Sequence, residues 1–274
     1  MTRPEALFPL YAGLETLDGV GPKTALAFGG LGVERPKDLL YLLPHSVVDR
    51  SRKDSIRDVI PPTTVTVEVE VASHFPPRTK GKPYRVMVRD AGLEFQLVFF
   101  HARGDYLQKL LPTGQRRLVS GRVELFDNIA QMVHPDHVLR PDEAAELPAW
   151  EPVYPLVAGI TQRVISKAAA ATLARTPDLP EWIDGPLLAR EGWPNWRAAI
   201  ELAHAPAGHG DLAASSPARQ RLAYDELFAH QLTLSLARAT LRRAKGQVTR
   251  GTGALQAKVL KSLPYAPTAA QTRA

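Results

Sequence analysis

The 274-residue chain contains no cysteine. This absence excludes disulfides, zinc-thiolate sites and thiol catalysis, and it is compatible with a reducing compartment. No stretch approaches the roughly 20 apolar residues of a membrane-spanning helix, and the N-terminus lacks the pattern of a secretory signal. The sequence therefore predicts a cytoplasmic protein with no membrane partner.

Patterns typical of catalytic sites are also missing. No G-x-x-x-x-G-K-[ST] loop occurs in the chain, and no G-x-S-x-G turn or carboxylate pair indicates hydrolase chemistry. His134 and His137 lie three residues apart around Asp136, but without a third ligand the pattern favours a turn at a strand end. The sequence therefore predicts no catalytic residue and no metal site.

What the chain does have is excess positive charge. Its 34 lysines and arginines outnumber 28 acids, which gives a formal charge of +6 and a pI near 9.6. This balance favours polyanionic partners, and the 45% apolar content is ample for folded cores.

The N-terminal residues predict a small helical module. Apolar side chains at three- and four-residue spacing predict a first helix that ends near Asp18-Gly19. They are Leu7, Leu10, Tyr11, Leu14 and Leu17. Pro22 suits the start of a second helix, and Pro36 suits the start of a third.

The turn between the first two helices, "GVGPKT", has two alternative interpretations. Its glycines can expose backbone N–H groups at a helix start, where an anion is favoured. Gly19, Gly21 and Lys23 would then hold a DNA phosphate, as in a helix-hairpin-helix element. The same glycines could equally make a tight helix connection, and both alternatives stay open.

From Thr63 the apolar pattern switches to the two-residue period of strands. Three predicted strands, a short helix and two more strands follow in order. The last two are joined at Phe126-Asp127-Asn128, and Gly121 marks a bulge or a close approach. This order is typical of the OB-fold, a five-stranded, partly open barrel that commonly binds oligonucleotides. Residues 140–152 are predicted to be the linker out of the barrel.

The alternation in the third strand leaves Phe100 outside the core. Predicted to face inward are Leu93, Phe95, Leu97 and Phe99; predicted to face outward are Glu94, Gln96, Val98 and Phe100. An exposed phenylalanine here lies where OB-folds stack bases, at about 1–3 kcal/mol per base. Tyr106 and Phe126 either complete this aromatic set or pack locally.

The loop between the first two strands carries cations and no acid. The predicted DNA-backbone contacts of the barrel are Arg78, Lys80 and Lys82 in this loop, with Arg85 and Arg89 on the outer face of the second strand. A basic groove with aromatic side chains is the pattern by which OB-folds hold single strands.

Beyond residue 150 the sequence becomes helical, and its longest predicted helix runs from about Ser216 to Lys245. Its apolar residues cover too wide an arc for a surface helix and are expected to be clamped between other elements. They are Leu222, Leu227, Phe228, Leu232, Leu234, Leu236 and Leu241.

The predicted fold class is α+β: a helical N-terminal module with a helix-hairpin-helix-like turn, a five-stranded OB-fold barrel and a C-terminal helical segment. The predicted domains are residues 1–55, 60–140, 150–250 and a last short region, 251–274.

The segments "LDGVGPKTALAFGGLGV", "KDLLYLLP", "SGRVELFDNIAQMVHPDH" and "RLAYDELFAHQLTLSLAR" together resemble the N-terminal region of the RecG family of ATP-dependent DNA helicases. The resemblance implies that the barrel is a wedge domain, which splits a DNA fork by stacking aromatic residues on junction bases. It places Phe100 and Tyr106 at the positions of those aromatics, with an inserted "HARGD" between them. It also implies a role on stalled replication forks and Holliday junctions in DNA repair and recombination.

The stretch "SLPYAPTAAQTRA" looks like the start of the first helicase motif, where Gln271 would resemble the glutamine that reads adenine. The resemblance implies ATP and Mg²⁺ for an intact parent. Without a phosphate-binding loop or a D-E-x-H box, these residues are expected to be an inactive fragment that binds branched and single-stranded DNA as a monomer. Two alternatives remain: a stand-alone single-strand-binding OB-fold, and an adaptor whose barrel binds protein.

Overall fold

A computed structural model describes residues 4–79, 81–243, 246 and 250–273. The chain forms two compact units that divide between Asp225 and Glu226. Lys80 and Lys245, which the sequence analysis considered, lie outside the described residues.

The strands in chain order are β1 (Ser46–Asp49), β2 (Arg52–Lys53), β3 (Thr63–Phe75), β4 (Tyr84–Arg89), β5 (Glu94–Phe99), β6 (Arg116–Phe126), β7 (Ile129–Val133), β8 (His137–Leu139) and β9 (Trp150–Val153). The α-helices are α1 (Pro22–Phe28), α2 (Pro36–Leu39), α3 (Gly104–Leu110), α4 (Gln162–Leu173), α5 (Gly185–Glu191), α6 (Trp196–His204), α7 (Pro217–Arg243), α8 (Ala254–Ser262) and α9 (Ala269–Arg273). Shorter 3₁₀ helices span Glu5–Tyr11, Leu14–Thr16, Gly29–Leu31, Ile56–Asp58, Pro141–Glu146 and His209–Leu212.

Five strands close into a barrel in the order β3, β4, β5, β7, β6, with β6 returning to pair with β3. The long strand β3 pairs first with β6 and then, after a register shift between Val71 and Ser73, with β4. β5 and β7 run parallel, and the other barrel pairs are antiparallel. This strand order, with α3 between β5 and β6, is that of an OB-fold. The predicted α+β class is confirmed.

The barrel core follows the two-residue alternation. Alternate valines of β3 and β4 are buried, as are Phe95, Leu97 and Phe99 of β5. The prediction that Val98 faces solvent is wrong, because only 3% of it is exposed. β5 lies between two strands, so Val98 is flanked by Arg85 of β4 and Val133 of β7.

The hairpin from β6 to β7 turns at Asp127-Asn128, where both residues have positive φ, 49° and 59°. Two such residues form the tight turn that suits the strand twist. The predicted close approach at Gly121 is confirmed, because a Cβ there would lie 2.8 Å from Met132 Sδ and 3.0 Å from Pro135 Cα.

The first predicted helix is wrong in type, because two 3₁₀ helices take its place. Pro9 lies inside the first of them, where it lacks an N–H group and its ring disfavours the α-helical hydrogen bond to residue 5. Gly13 then separates the two in extended backbone. Leu10, Leu14 and Leu17 are nevertheless buried.

The N-terminal helices share a core with helices that follow the barrel. Leu17 and Phe28 pack with Ile165 and Ala168 of α4, and Leu40 packs with α6. Pro22 and Pro36 begin α1 and α2, as predicted. Segments about 140 residues apart in sequence thus form one helical body.

The strands that lead into and out of the barrel pair with each other. β1 runs antiparallel to β9, with Ser46 opposite Val153 and Asp49 opposite Trp150. The prediction that residues 140–152 are a linker is therefore wrong, because this segment holds a 3₁₀ helix and then most of β9. The pairing joins residues about 100 positions apart, which local patterns do not reveal.

Arg50 joins the β1–β9 pair to the barrel through ion pairs and a hydrogen bond. Its side chain is 5% exposed and forms ion pairs with Glu151 of β9 at 2.7 Å and with Asp136 at 2.8 Å. Its guanidinium also donates to the Ser120 hydroxyl on β6. Hydrogen bonds from His137 and Arg50 outweigh the effect of burial and lower the pKa of Glu151.

The expectation that the long helix α7 is clamped between other elements is met at its start and stays a prediction after Asp225. Leu222 is buried against α6. In the second unit, Leu227, Leu236 and Leu241 are 67%, 58% and 74% exposed.

His204 is a buried histidine in the helical body. Its Nδ1 accepts from the Tyr154 hydroxyl at 2.9 Å, and its Nε2 donates to the Leu40 carbonyl at 3.1 Å. Burial lowers the pKa of His204, so the folded state favours the neutral ring.

We expect Arg50→Ala to lower the free energy of unfolding by about 3–5 kcal/mol, because it leaves the largely buried Glu151 carboxylate without its cation. Urea unfolding measures this loss. Arg116→Ala, which breaks an exposed pair with Glu68, is the matched control and should cost no more than about 1 kcal/mol. Equal losses would contradict the role given to Arg50.

We expect acidification to destabilise the protein through His204. The unfolded chain binds a proton at this residue near pH 6.5, whereas the folded chain resists it, so stability falls as pH drops through about 6.5. His204→Gln should flatten the stability profile between pH 7 and 5.5, and the exposed control His230→Gln should not. Identical profiles for wild type and His204→Gln would be evidence against this account.

Candidate nucleic-acid interface

A cleft of about 420 Å³ opens where β4 begins and β5 ends. The register pairs Tyr84 with Phe99, so the loop that precedes β4 meets the chain that leaves β5. One side of the cleft is lined by Pro77, Arg78, Thr79, Gly81 and Lys82, and the other by Tyr84 and residues 99–102. The fold thus brings the basic loop and Phe100 into one concave site.

Phe100 follows β5 directly and is 43% exposed, in agreement with its outward prediction. Its backbone N–H donates to His134 Nε2 at 3.1 Å. The two rings lie 5.9 Å apart between centroids and are tilted by 33°. Sequence reasoning missed His134 as a neighbour, because the contact depends on the parallel pairing of β5 with β7.

The cations differ in their surroundings. Arg78 and Lys82 are exposed, and within the described part of the chain neither forms an ion pair. Arg85 is also exposed on β4, whereas Arg89 donates to Glu94 across the β4–β5 turn. Uncompensated positive charge therefore concentrates at the cleft end of β4.

Tyr106 and Phe126, the other two aromatic residues predicted to stack on DNA bases, are not among the residues that line the cleft. Tyr106 is 60% exposed on α3, whose first residue, Gly104, lies against Tyr84. Phe126 is 58% exposed beside Ile129 at the β6–β7 turn. Since Gln131 pairs with Gln96, Phe126 lies near the start of β5, about 20 Å along the strand from Phe100.

Between these ends the outer face is polar. Gln96 and Gln131 lie opposite each other on β5 and β7, and Gln131 donates to Glu124 at 3.0 Å. Residues 123–139 contain no lysine or arginine. The Phe126 end is therefore apolar and acidic, and the Phe100 end is aromatic and basic.

The glycine turn at the start of α1 has open space on one side. Gly19 has a φ of +80°, which only glycine adopts readily, while a Cβ at Gly21 would meet no atom within 4 Å. Lys23 is exposed. Lys167 of α4 also reaches this turn, with its Nζ 3.6 Å from a Cβ built at Gly19. No sequence pattern pointed to Lys167, because the helix packing that places it is non-local.

Gln271 makes a local structural contact. The Thr268 N–H donates to Gln271 Oε1 at 2.9 Å, and the Gln271 N–H donates to Thr268 Oγ1 at 3.3 Å. This reciprocal pair is a capping box at the start of α9.

Two kinds of feature are missing from the described residues. No helix there is long and apolar enough to cross a membrane. No group of three or more histidine and carboxylate side chains within these ranges could hold a metal ion. Asp136 and His137 instead bind Arg50 and Glu151.

The closed five-stranded barrel defines this chain as an OB-fold protein. Residues 14–175 match the RecG wedge domain. The chain belongs to the RecG wedge domain family, which confirms the resemblance seen in the sequence.

Known relatives are longer proteins. The chain is 28% identical to the ATP-dependent DNA helicase RecG of Escherichia coli O127:H6, in a match covering 95% of this chain and 38% of that protein. It is also 28% identical to RecG of Thermotoga maritima, over 97% of this chain and 34% of that protein. A solved structure of RecG bound to a three-way DNA junction matches 96% of this chain and 36% of its own, with a TM-score of 0.67 and 26% identity. The chain thus spans less than two fifths of these relatives.

Proposed function

We propose that this chain binds branched DNA at the cleft, with Phe100 stacked on a base at the branch point. The observation that carries this proposal is the exposed Phe100 ring in one cleft with Arg78 and Lys82. The ring offers a flat apolar surface to a base, and the cations offer contacts to neighbouring phosphates. Neither contact depends on base identity, so we expect structure-specific binding without sequence choice.

Physical chemistry explains why a branch point suits this site. Inside a duplex both faces of a base pair are stacked on neighbours, so a protein ring gains access only after unstacking at a cost of a few kcal/mol. At a branch the last pair has an open face. An exposed ring therefore gains more free energy from stacking at a branch than along an arm, and the DNA strands would divide around it.

The proposed parent activity follows from the relatives. RecG is named as an ATP-dependent DNA helicase, and one RecG structure holds a three-way junction. We propose that this chain supplies the DNA-binding wedge, within residues 60–140, to such a helicase acting on forks and Holliday junctions. In this proposal residues 1–55 form the helical module before the wedge, residues 150–250 form a helical segment that packs on the motor, and residues 251–274 begin that motor.

This chain contains few of the sequence features that such a motor needs to bind and hydrolyse ATP. ATP and Mg²⁺ need a phosphate-binding loop and acidic ligands, and the sequence of 274 residues contains no such loop. Gln271 fits the adenine-reading position in sequence, while its side chain here caps α9. We therefore propose DNA binding, and not ATP hydrolysis, as the activity of this chain, acting as a cytoplasmic monomer that also binds single strands.

We expect Phe100→Ala to weaken binding to a forked DNA by about tenfold and binding to a single strand by much less, because the ring stacks at the branch. Fluorescence anisotropy with matched forked and linear DNA measures both. Phe100→Trp should retain fork binding. Phe8→Ala, a similarly exposed phenylalanine of the helical body, is the matched control and should change neither.

Equal losses on the forked and linear DNA would refute a branch-point role for Phe100. If Phe100→Ala bound forked DNA as tightly as the wild type, the cleft would not be the DNA interface. Failure of the wild type to bind any DNA would favour the protein-binding alternative.

We expect Lys82→Ala to lower the salt dependence of DNA binding by about one unit of slope in log K against log [salt], because one phosphate contact is lost. Lys23→Ala tests the glycine turn in the same way. Arg190→Ala, which removes a cation already paired with Glu191, is the control and should leave the slope unchanged. An unchanged slope for Lys23→Ala would assign the turn to structure alone.

A further inference from the structure

His134 makes two different contacts with Phe100. Its Nε2 accepts the Phe100 backbone N–H, so the hydrogen bond fixes the chain where it leaves β5. Its ring also lies within aromatic contact distance of the Phe100 ring. A second ring contact joins His134 to the buried Phe99, at 6.0 Å and 87°. One imidazole thus contacts both phenylalanines at the end of β5.

The backbone around His134 is itself held in place. Its φ of 47° lies in the left-handed region that L-residues rarely adopt. The His134 N–H donates to the Val98 carbonyl at 2.9 Å, which continues the β5–β7 pairing by one step. Two residues later, Asp136 binds the buried Arg50. The backbone that carries the imidazole is therefore held to β5 by a hydrogen bond and, two residues later, to Arg50 by an ion pair.

The surroundings of Phe100 explain why such support matters. Phe100 lies beyond the last residue of its strand and is 43% exposed, so the core restrains its ring little. Ordering a free side chain on binding costs conformational entropy, and a ring already held in its bound orientation avoids that cost.

We infer that His134 is a positioning residue for Phe100: it fixes the backbone and the ring orientation of Phe100 for stacking on a base. This inference rests on the proposed function of the cleft. His134 acts through Phe100, so its effect on DNA binding should disappear when Phe100 is absent.

A double-mutant cycle on the whole chain tests this role, using the fork and single-strand anisotropy assay. His134→Asn removes the ring and tolerates positive φ. We expect it to weaken fork binding about fivefold, as the loss of a hydrogen bond and a ring contact predicts, and to leave single-strand binding nearly unchanged. In the Phe100→Ala background the same substitution should have no further effect.

A conservative variant separates positioning from folding. The longer side chain of His134→Gln can place an acceptor near the Phe100 N–H, so it should recover part of the fork affinity that His134→Asn loses. Thermal unfolding of each variant reports whether it is folded at the assay temperature. A base analogue, 2-aminopurine, at the branch should be quenched by wild type and less by His134→Asn.

Each outcome decides between stated alternatives. A loss from His134→Asn that persists in the Phe100→Ala background would overturn the inference and make His134 a direct DNA contact. No loss from folded His134→Asn, with a clear loss from Phe100→Ala, would overturn the inference and leave the proposed function standing. No fork effect of Phe100→Ala would instead refute the proposed function.

Discussion

The arrangement of barrel and helices depends on the ion pairs and hydrogen bonds of the buried Arg50 guanidinium. It contacts Glu151 on the strand that leaves the barrel, Asp136 on the segment after β7, and Ser120 on β6. A buried cation is tolerated only when its charge and its N–H donors are satisfied, so these partners have little freedom to move apart. Arg50 itself follows β1, which leads into the barrel, so one residue ties both connecting strands to the barrel wall.

This constraint extends to the cleft. Asp136 is held by Arg50, and the absence of a side chain at Gly121 lets Pro135 approach β6 closely. His134 precedes these residues and contacts Phe100. Three consecutive residues, His134, Pro135 and Asp136, therefore connect the buried Arg50 to the exposed ring of Phe100. A rigid support of this kind is what a stacking side chain needs if it is to divide strands without being displaced by them.

Local patterns predicted much of the barrel and little of its surroundings. Two-residue alternation identified the β3–β5 core and the exposed Phe100, because each strand has one buried face. It failed at Val98, which neighbouring strands cover, and at β9, whose partner lies about 100 residues away. The spacing of Leu10, Leu14 and Leu17 identified buried residues but predicted the wrong helix type, because Pro9 and Gly13 override periodicity.

The candidate site, too, could be predicted only in part from the sequence. The loop cations and Phe100 were predicted from composition and alternation, while His134 and Lys167 were missed because only tertiary contacts bring them to their sites. The wide apolar arc of α7 predicted burial, whereas the apolar residues of this helix after Asp225 are largely exposed. Periodicity reports which side chains could be buried, and it does not report whether an element is present to cover them.

The central claim is that Phe100 contacts the branch point itself. Replacing Phe100 with the photo-crosslinking amino acid p-benzoylphenylalanine, and mapping the crosslinked nucleotides on a three-way junction, tests this claim most directly. The account predicts crosslinks confined to the nucleotides that flank the branch. Crosslinks spread evenly along the arms, or equally strong crosslinks to linear duplex, would contradict it.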